Sequence, residues 1–536
     1  MTSIHGQTFD IVVAGSGAAG LTTALFAAKR GASVLVMEKS DLLGGTTAVS
    51  GGQIWLPNHR RLRPGADSAA AAAEYLRQVT MGAVDADLLN AFIDAAPLMG
   101  DAIEQETGLE LAIVERPDYH SDWSGSRWGR SLEPLPTETL DLGELACSIR
   151  SSPYRAPLTS AEIKGGASDA MAQQRRERRQ VTQGHALVAG LVRGCLRHKV
   201  RFATSRPVTD VRKTDDGGFS VSAGVDETVR ARALVLASGG FEWNEAFKEA
   251  FLPCPDEGAA SPPFNVGDGL RIGLRLGATV ANMTESWWSA AYAVPGETYD
   301  DRPLTRNIVR ELALPGSILV NADGKRFVNE AASYNALGKA FQIFDSGRNL
   351  FPNRRAWLVF DASFRRRYAV ASIPPTAPTP SWFIEAASLH ELAGKAGINA
   401  TVLEQTVTRF NDMAQEGCDL DFGRGLSEHD HYHSDSSQPH PNLGAISHAP
   451  YFAVPIFLGN LGTKGGLRTD AQGHVMSMTG GPIEGLFACG NVAASWMGPG
   501  YPGAGGSLGP IMTAAYLCGN EAARETNAAQ RKVKTL

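Results

Sequence analysis

The hexapeptide Gly15-Ser16-Gly17-Ala18-Ala19-Gly20 spaces three glycines as G-x-G-x-x-G. Gly15 permits a tight turn, Gly17 lets the main chain approach a pyrophosphate, and Gly20 lets a helix pack closely on a strand. A helix opening at Ala18 and Ala19 would present unpaired N–H groups to the phosphates. Glu38 follows eighteen residues after Gly20, where a carboxylate can bond a ribose hydroxyl. These residue types in this order suit the holding of a dinucleotide.

Two further glycine clusters bear on which dinucleotide. Gly44-Gly45-Thr46-Thr47 and Ser50-Gly51-Gly52 come soon after Glu38. Paired glycines with hydroxyls suit a main-chain path beside phosphates and a flavin ring, and a nicotinamide dinucleotide has no evident need of them. An ordinary glycine-rich loop is the bland alternative. Near the C-terminus, Gly503, Gly505, Gly506 and Gly509 lie in Y-P-G-A-G-G-S-L-G-P, ahead of a helical stretch from Ile511 to about Arg524. The N-terminus of that helix could hold the electron-rich pyrimidine edge of a reduced flavin through its dipole and N–H donors. A packing turn is the alternative there. FAD is the expected cofactor, held non-covalently, since no motif assigns a covalent link.

The elements that must position these residues can be read from periodicity. Phe9 to Ala14 is a buried-strand run, a helix follows to about Arg30, and Ser33 to Glu38 is a second strand. This is one β-α-β unit of a parallel sheet. Residues 69–107 read as mostly helical, 119–136 as loop, and 186–199 as helix. Strands are expected at 208–213, 218–225 and 233–237. From about 280 to 445 the texture shifts to Trp, Tyr, Pro and short strands. Asp323-Gly324 there reads as a turn between 318–320 and 327–328, and 389–414 as a helix pair. Residues 439–450 read as a linker, after which cofactor-type sequence resumes. The expected fold is α/β: a Rossmann-type FAD-binding domain, residues 1–280 and 446–536, interrupted by an inserted α+β catalytic (capping) domain over 281–445.

Composition narrows the function classes. The 536 residues are 43% hydrophobic and 20% charged, with 58 glycines and a formal net charge of -6. That balance gives no basic footprint for nucleic acid. The run Arg175-Arg176-Glu177-Arg178-Arg179 reads as a solvated helix face. Six cysteines are widely spaced without C-x-x-C, which fits neither a zinc site nor a disulfide framework, so no metal is expected and a reduced cytoplasm is the natural compartment. No signal-peptide core and no apolar run long enough for a transmembrane segment is visible.

Beyond these readings, the N-terminal motifs, Ala237-Ser238-Gly239-Gly240-Phe241, G-K-R-F-V-N-E (324–330) and G-L-F-A-C-G-N (485–491) resemble the fumarate reductase/succinate dehydrogenase flavoprotein superfamily. More narrowly, G-R-S-L-E-P (129–134), N-E-A-A-S-Y (329–334), P-N-L-G (441–444), L-G-T-K-G-G-L-R-T-D (461–470) and Y-P-G-A-G-G-S-L-G-P (501–510) resemble the 3-ketosteroid 1,2-dehydrogenases. The resemblance implies cofactor contacts from Lys39, Val208, Ala237, Ser238, Gly239, Gly490, Asn491, Gly506, Ser507 and Leu508 as well. It implies that a cyclic ketone lies over the flavin and becomes an α,β-unsaturated ketone. Tyr501 and the N–H of Gly505 then match the groups that hold the ketone oxygen as an oxyanion hole. Tyr334 matches the base that removes the α-proton, and its phenol needs help from its setting. Tyr119 falls near a further tyrosine supporting that base, although a length difference leaves His120 as the other candidate. Trp287 and Trp288 read as core, with pocket lining as the alternative, and His185 as structural.

Rivals differ in what they require. A shorter 150–185 region and bulky Trp123 and Trp128 could reshape the pocket for a small ring, such as cyclohexanone or 4-oxocyclohexanecarboxylate. A fumarate-type reductase needs arginines for two carboxylates, and none lies between Arg468 and Arg524. A 4,5-desaturase or an enone reductase would use similar tyrosines, and a non-catalytic flavin binder would need an inert pocket. The expected partners are the cyclic ketone and an unidentified electron acceptor.

Overall fold

The computed structural model describes residues 4–224, 227–254 and 257–535. Val225, the end of one expected strand, lies outside the described residues, as do the outermost ends of the expected domain bounds. Thr8–Ala14 is a strand whose last six residues are all buried. It pairs in parallel with Val34–Met37 on one side and Glu227–Leu236 on the other, with Ile11 opposite both Val34 and Ala233. Strands buried on both faces read as continuous apolar runs, as these do. Arg201–Ala203 and Pro482–Ala488 extend the sheet in parallel, and a hairpin of Val208–Lys213 and Phe219–Ala223 joins Glu227–Leu236. With His474–Met476 antiparallel to Pro482–Ala488, this makes an eight-stranded sheet among the described residues.

One face of that sheet carries helices Ala18–Lys29, Gln183–Arg197 and Leu508–Thr535 in a common apolar core. Ala18–Lys29 and Leu508–Thr535 touch closely, since a Cβ on Gly519 would meet the Thr23 carbonyl oxygen at 2.5 Å. The last helix runs well past the expected end near Arg524. The expected helical region 69–107 is two helices, Ala69–Val79 and Ala86–Thr107. Within the expected loop 119–136, Ser131–Pro134 is a strand pairing with Ile54–Trp55 and Leu111–Ile113.

A second, mainly antiparallel sheet orders Arg302–Asn307, Ser286–Tyr299, Tyr451–Thr463, Ala356–Asp361 and Ser317–Asn321. Its two longest strands replace the short strands expected there. Tyr451–Thr463, which the expected boundary at 445/446 gives to the cofactor part, is hydrogen-bonded into this sheet. Asp323-Gly324 does form a turn, with Gly324 at φ 80°, but 327–328 is not a strand. Arg326 is instead drawn inward, 2.6 Å from Glu330 and 2.8 Å from Asp419. Arg424 completes the buried cluster at 3.3 Å from Glu330. Burial opposes the charge on Glu330, yet Arg326 and Arg424 hold its carboxyl below the usual carboxylate range.

Candidate active site

A cavity of about 490 Å³ runs from the glycine turn after the first strand to the loop before the last helix. Its first end is main chain. Gly15 has φ 111°, and a Cβ there would strike the Ala237 carbonyl oxygen at 2.4 Å. Gly17 opens helix Ala18–Lys29 with no side-chain cap, and a Cβ on it would meet nothing nearer than Thr47 Oγ1 at 3.7 Å. The open helix end therefore faces the cavity, as an anionic pyrophosphate needs. Glu38 also lines it. Its oxygens accept from the Ser16 N–H (3.0 Å), Ser16 Oγ (2.7 Å) and the Ser40 N–H (3.0 Å), which leaves lone pairs for a ribose hydroxyl. These features fit FAD.

Ala18, Ala19, Lys39, Gly45, Thr46, Thr47, Ser50, Gly51, Gly52, Val208, Ala237, Ser238, Gly239, Gly490, Asn491, Ser507 and Leu508 line the same cavity. Gly20, Gly44 and Gly506 stand behind the wall. A Cβ on Gly20 would sit 1.9 Å from the Gly15 oxygen, on Gly44 2.8 Å from Ala48 Cβ, and on Gly506 2.7 Å from Pro502 Cδ.

The other end is side chain. The rings of Tyr119, Tyr334 and Tyr501 form a triangle with centroids 5.5, 5.4 and 5.1 Å apart. They come from three distant stretches. The Tyr119 N–H donates to the Pro502 oxygen (3.0 Å), which also accepts from Tyr75 Oη (2.6 Å). The Trp55 N–H donates to the Gly505 oxygen at 3.1 Å and Ser131 Oγ to the Ala504 oxygen at 2.8 Å. Arg130, fully buried between Asp67 and Asp118, braces this framework, and Asp118 accepts from Trp55 Nε1 at 2.7 Å. The Gly505 N–H lines the cavity without an acceptor among the described residues. Tyr334 opens helix Tyr334–Phe341, four residues beyond Glu330 in the buried ion cluster.

Burial pushes the Tyr334 phenol well above the usual tyrosine range, and the neighbouring Tyr119 and Tyr501 add to that rise. Burial also raises Tyr501, and raises Tyr119 against the opposing pull of Arg116. Burial and these neighbours favour the protonated phenol, while Tyr334 sits at a helix N-terminus, which favours the ionised one.

Period-two alternation along Ser286–Tyr299 separates the tryptophan pair. Trp287 lines the cavity, 5.0 Å from the Tyr501 ring, while Trp288 is buried in the core of the second sheet. His120 stacks on Trp123 at 3.8 Å, and neither lines the cavity. Trp128 is 47% exposed and donates to Glu428. His185 stands off the wall, with burial pushing it down to about 4.

Sequence reasoning passed over several wall residues. His429 meets the Tyr119 ring at 4.9 Å, and His433 and Arg116 lie beside it. Burial and Arg116 push His429 well below the usual histidine range; burial, Arg116, Arg310 and Lys164 push His433 down to about 3. No motif flags them: His429 reaches Tyr119, and Arg116 reaches Tyr432, from a distant stretch of the sequence. Asn265 bridges Thr46 (3.0 Å) and buried Glu242 (2.7 Å), and Lys39 pairs with Asp268 at 2.6 Å.

A family model described as FAD binding domain matches residues 10–508. The 4-oxocyclohexanecarboxylate 2-dehydrogenase of Sinomonas cyclohexanicum is 40% identical over 532 residues, covering 96% of this chain and 92% of that protein. The 3-oxosteroid 1-dehydrogenase of Mycobacterium tuberculosis is 36% identical over 557 residues, covering 95% and 97%. The crystal structure of 3-ketosteroid delta1-dehydrogenase from Sterolibacterium denitrificans in complex with 1,4-androstadiene-3,17-dione matches with a TM-score of 0.90 at 33% identity. That match covers 97% of this chain and 100% of the other. The chain is an FAD-binding oxidoreductase of mixed α/β fold.

Proposed function

The chain belongs to the FAD-binding-domain family that holds the 3-oxosteroid 1-dehydrogenases, and from that premise we propose that it desaturates a cyclic ketone beside its carbonyl. The observation that carries this is the tyrosine triangle closing the same cavity as the glycine cradle, next to the unclaimed Gly505 N–H. Tyr501 Oη and the Gly505 N–H hold the ketone oxygen and stabilise the charge that develops on it. Tyr334 Oη receives the α-proton, and Tyr119 passes it towards the wall. Bound FAD supplies the acceptor for a hydride from the adjacent β-carbon. The substrate thus loses one proton and one hydride and gains a C=C bond, and an electron acceptor must then reoxidise the cofactor.

Dehydrogenation of a 3-ketosteroid between its first two ring carbons is the first reading, supported by the steroid-bound neighbour. A small ring bearing an acid group is the second, favoured by Arg116 in the cavity wall. In the same proposal, the second sheet and its helices form the inserted capping unit over the flavin. Six free thiols accord with a cytoplasmic setting, and no helix among the described residues is long and apolar enough to cross a membrane.

The test is anaerobic mixing of the oxidised holoenzyme with a ketone panel: androst-4-ene-3,17-dione, a saturated 3-ketosteroid, cyclohexanone and 4-oxocyclohexanecarboxylate. Bleaching of the flavin, with an α,β-unsaturated product, is expected from at least one of them. Failure of every ketone, with rapid reoxidation of reduced enzyme by fumarate, would replace this reading by a reductase.

A further inference from the structure

We infer that Arg116 anchors a carboxylate on the substrate, so that the ketone carries an acid group on the far side of its ring from the reacting carbonyl. The inference rests on the desaturation proposed above and, of its two substrate readings, selects the small ring bearing an acid group.

Arg116 is only 8% exposed and lines the cavity with Tyr119, Tyr334 and Tyr501. Arg130 and Arg326, also buried, are neutralised within the protein, the first by Asp67 and Asp118, the second by Glu330 and Asp419, and buried Arg365 donates to the Pro374 and Ala377 carbonyl oxygens. Arg116 differs. Among the described residues no carboxylate pairs with it, and its buried Nε has no hydrogen-bond partner. Its guanidinium lies against two aromatic faces, 5.3 Å from the Tyr119 centroid and 4.3 Å from that of Tyr432. Further cations lie nearby. Lys164 lies 4.3 Å from the same Tyr432 ring, and the charges felt by His433 come from Arg116, Arg310 and Lys164.

A desolvated cation without a counter-charge is costly, and the planar fork of arginine matches a carboxylate through two parallel bonds. Arg116 lies 5.3 Å from the Tyr119 centroid and the Tyr501 ring 5.4 Å from it, all three on the cavity wall. In this proposal the anion on Arg116 and the ketone oxygen on Tyr501 are two ends of one small ring. A neutral steroid in this position would lay hydrocarbon against the guanidinium and leave it unpaired.

The experiment compares 4-oxocyclohexanecarboxylate with its methyl ester and with androst-4-ene-3,17-dione on holoenzyme, in the natural protein and in Arg116→Gln and Arg116→Lys. The expected kcat/KM for the acid exceeds that for the ester by roughly 10- to 100-fold. Arg116→Gln brings acid and ester close to parity, and Arg116→Lys restores part of the preference. Calorimetry with cyclohexanecarboxylate, which has no ketone to react, gives a second readout: its Kd rises by a similar factor in Arg116→Gln. The bound-flavin spectrum confirms that each variant is folded. Equal use of acid and ester by the natural protein, or an unchanged Kd in Arg116→Gln, overturns the assignment while leaving desaturation intact. Should no ketone bleach the flavin, desaturation fails separately, and the calorimetric comparison still decides on Arg116.

Discussion

The two ends of the cavity are made of different material. At the glycine-turn end, Gly15 and Gly17 act through main-chain conformation, and a side chain at Gly15 would collide with backbone. At the ketone end, Tyr119, Tyr334, Tyr501, Arg116 and His429 act through side-chain chemistry and are gathered from remote stretches. The contrast teaches that binding and turnover should be separable: damage to the first end removes the cofactor, damage to the second leaves it in place.

The largest effect that could break this contrast is at Gly15. Gly15→Val adds branching at φ 111° against the Ala237 carbonyl, and the purified protein is expected to carry no flavin and show no turnover. Normal flavin content in that variant would show that the cradle yields more than its main-chain packing allows. Next comes Tyr501→Phe, which should keep its flavin spectrum while kcat falls by roughly 10²–10³. Near-native turnover there would remove Tyr501 from the oxyanion hole.

The smallest and most discriminating test is pH. A base must lose its proton to act, and Tyr334 is pushed above the ordinary tyrosine range, so its ionised fraction grows throughout the range from about pH 6 to 9. His429 and His433 are already neutral there. The rate of flavin reduction should rise steadily with pH, by up to about tenfold per unit, while flavin retention stays flat. A rate that stays flat across that range would remove Tyr334 as the base.

The same contrast explains what could be read from the sequence. The β-α-β unit and its glycine turn are local, so their strands and helix were legible within a few residues of their ends. Tyr334 and Tyr501 were visible only because surrounding motifs resemble a family. Arg116 and His429 had neither local period nor motif, because what sets them apart is a contact across the fold, with Tyr432 and Tyr119 respectively. Phe327 and Val328 looked like a strand after a turn, but the pull of Glu330 and Asp419 on Arg326 outweighs β propensity there. Trp287 and Trp288 could not be told apart until the strand's pleat assigned one to each face.

The close seating of the last helix on the first has a consequence for the order of assembly. During synthesis the glycine turn is made long before the wall that faces it, Tyr501 to Leu508, and before the helix that Gly519 presses onto Thr23. The central strand Thr8–Ala14 likewise waits for Glu227–Leu236 and, beyond it, Pro482–Ala488. Contacts of such sequence separation form late and slowly. Cofactor loading therefore waits for helix Leu508–Thr535, and a chain cut before it leaves an open, apolar half-site exposed to aggregation.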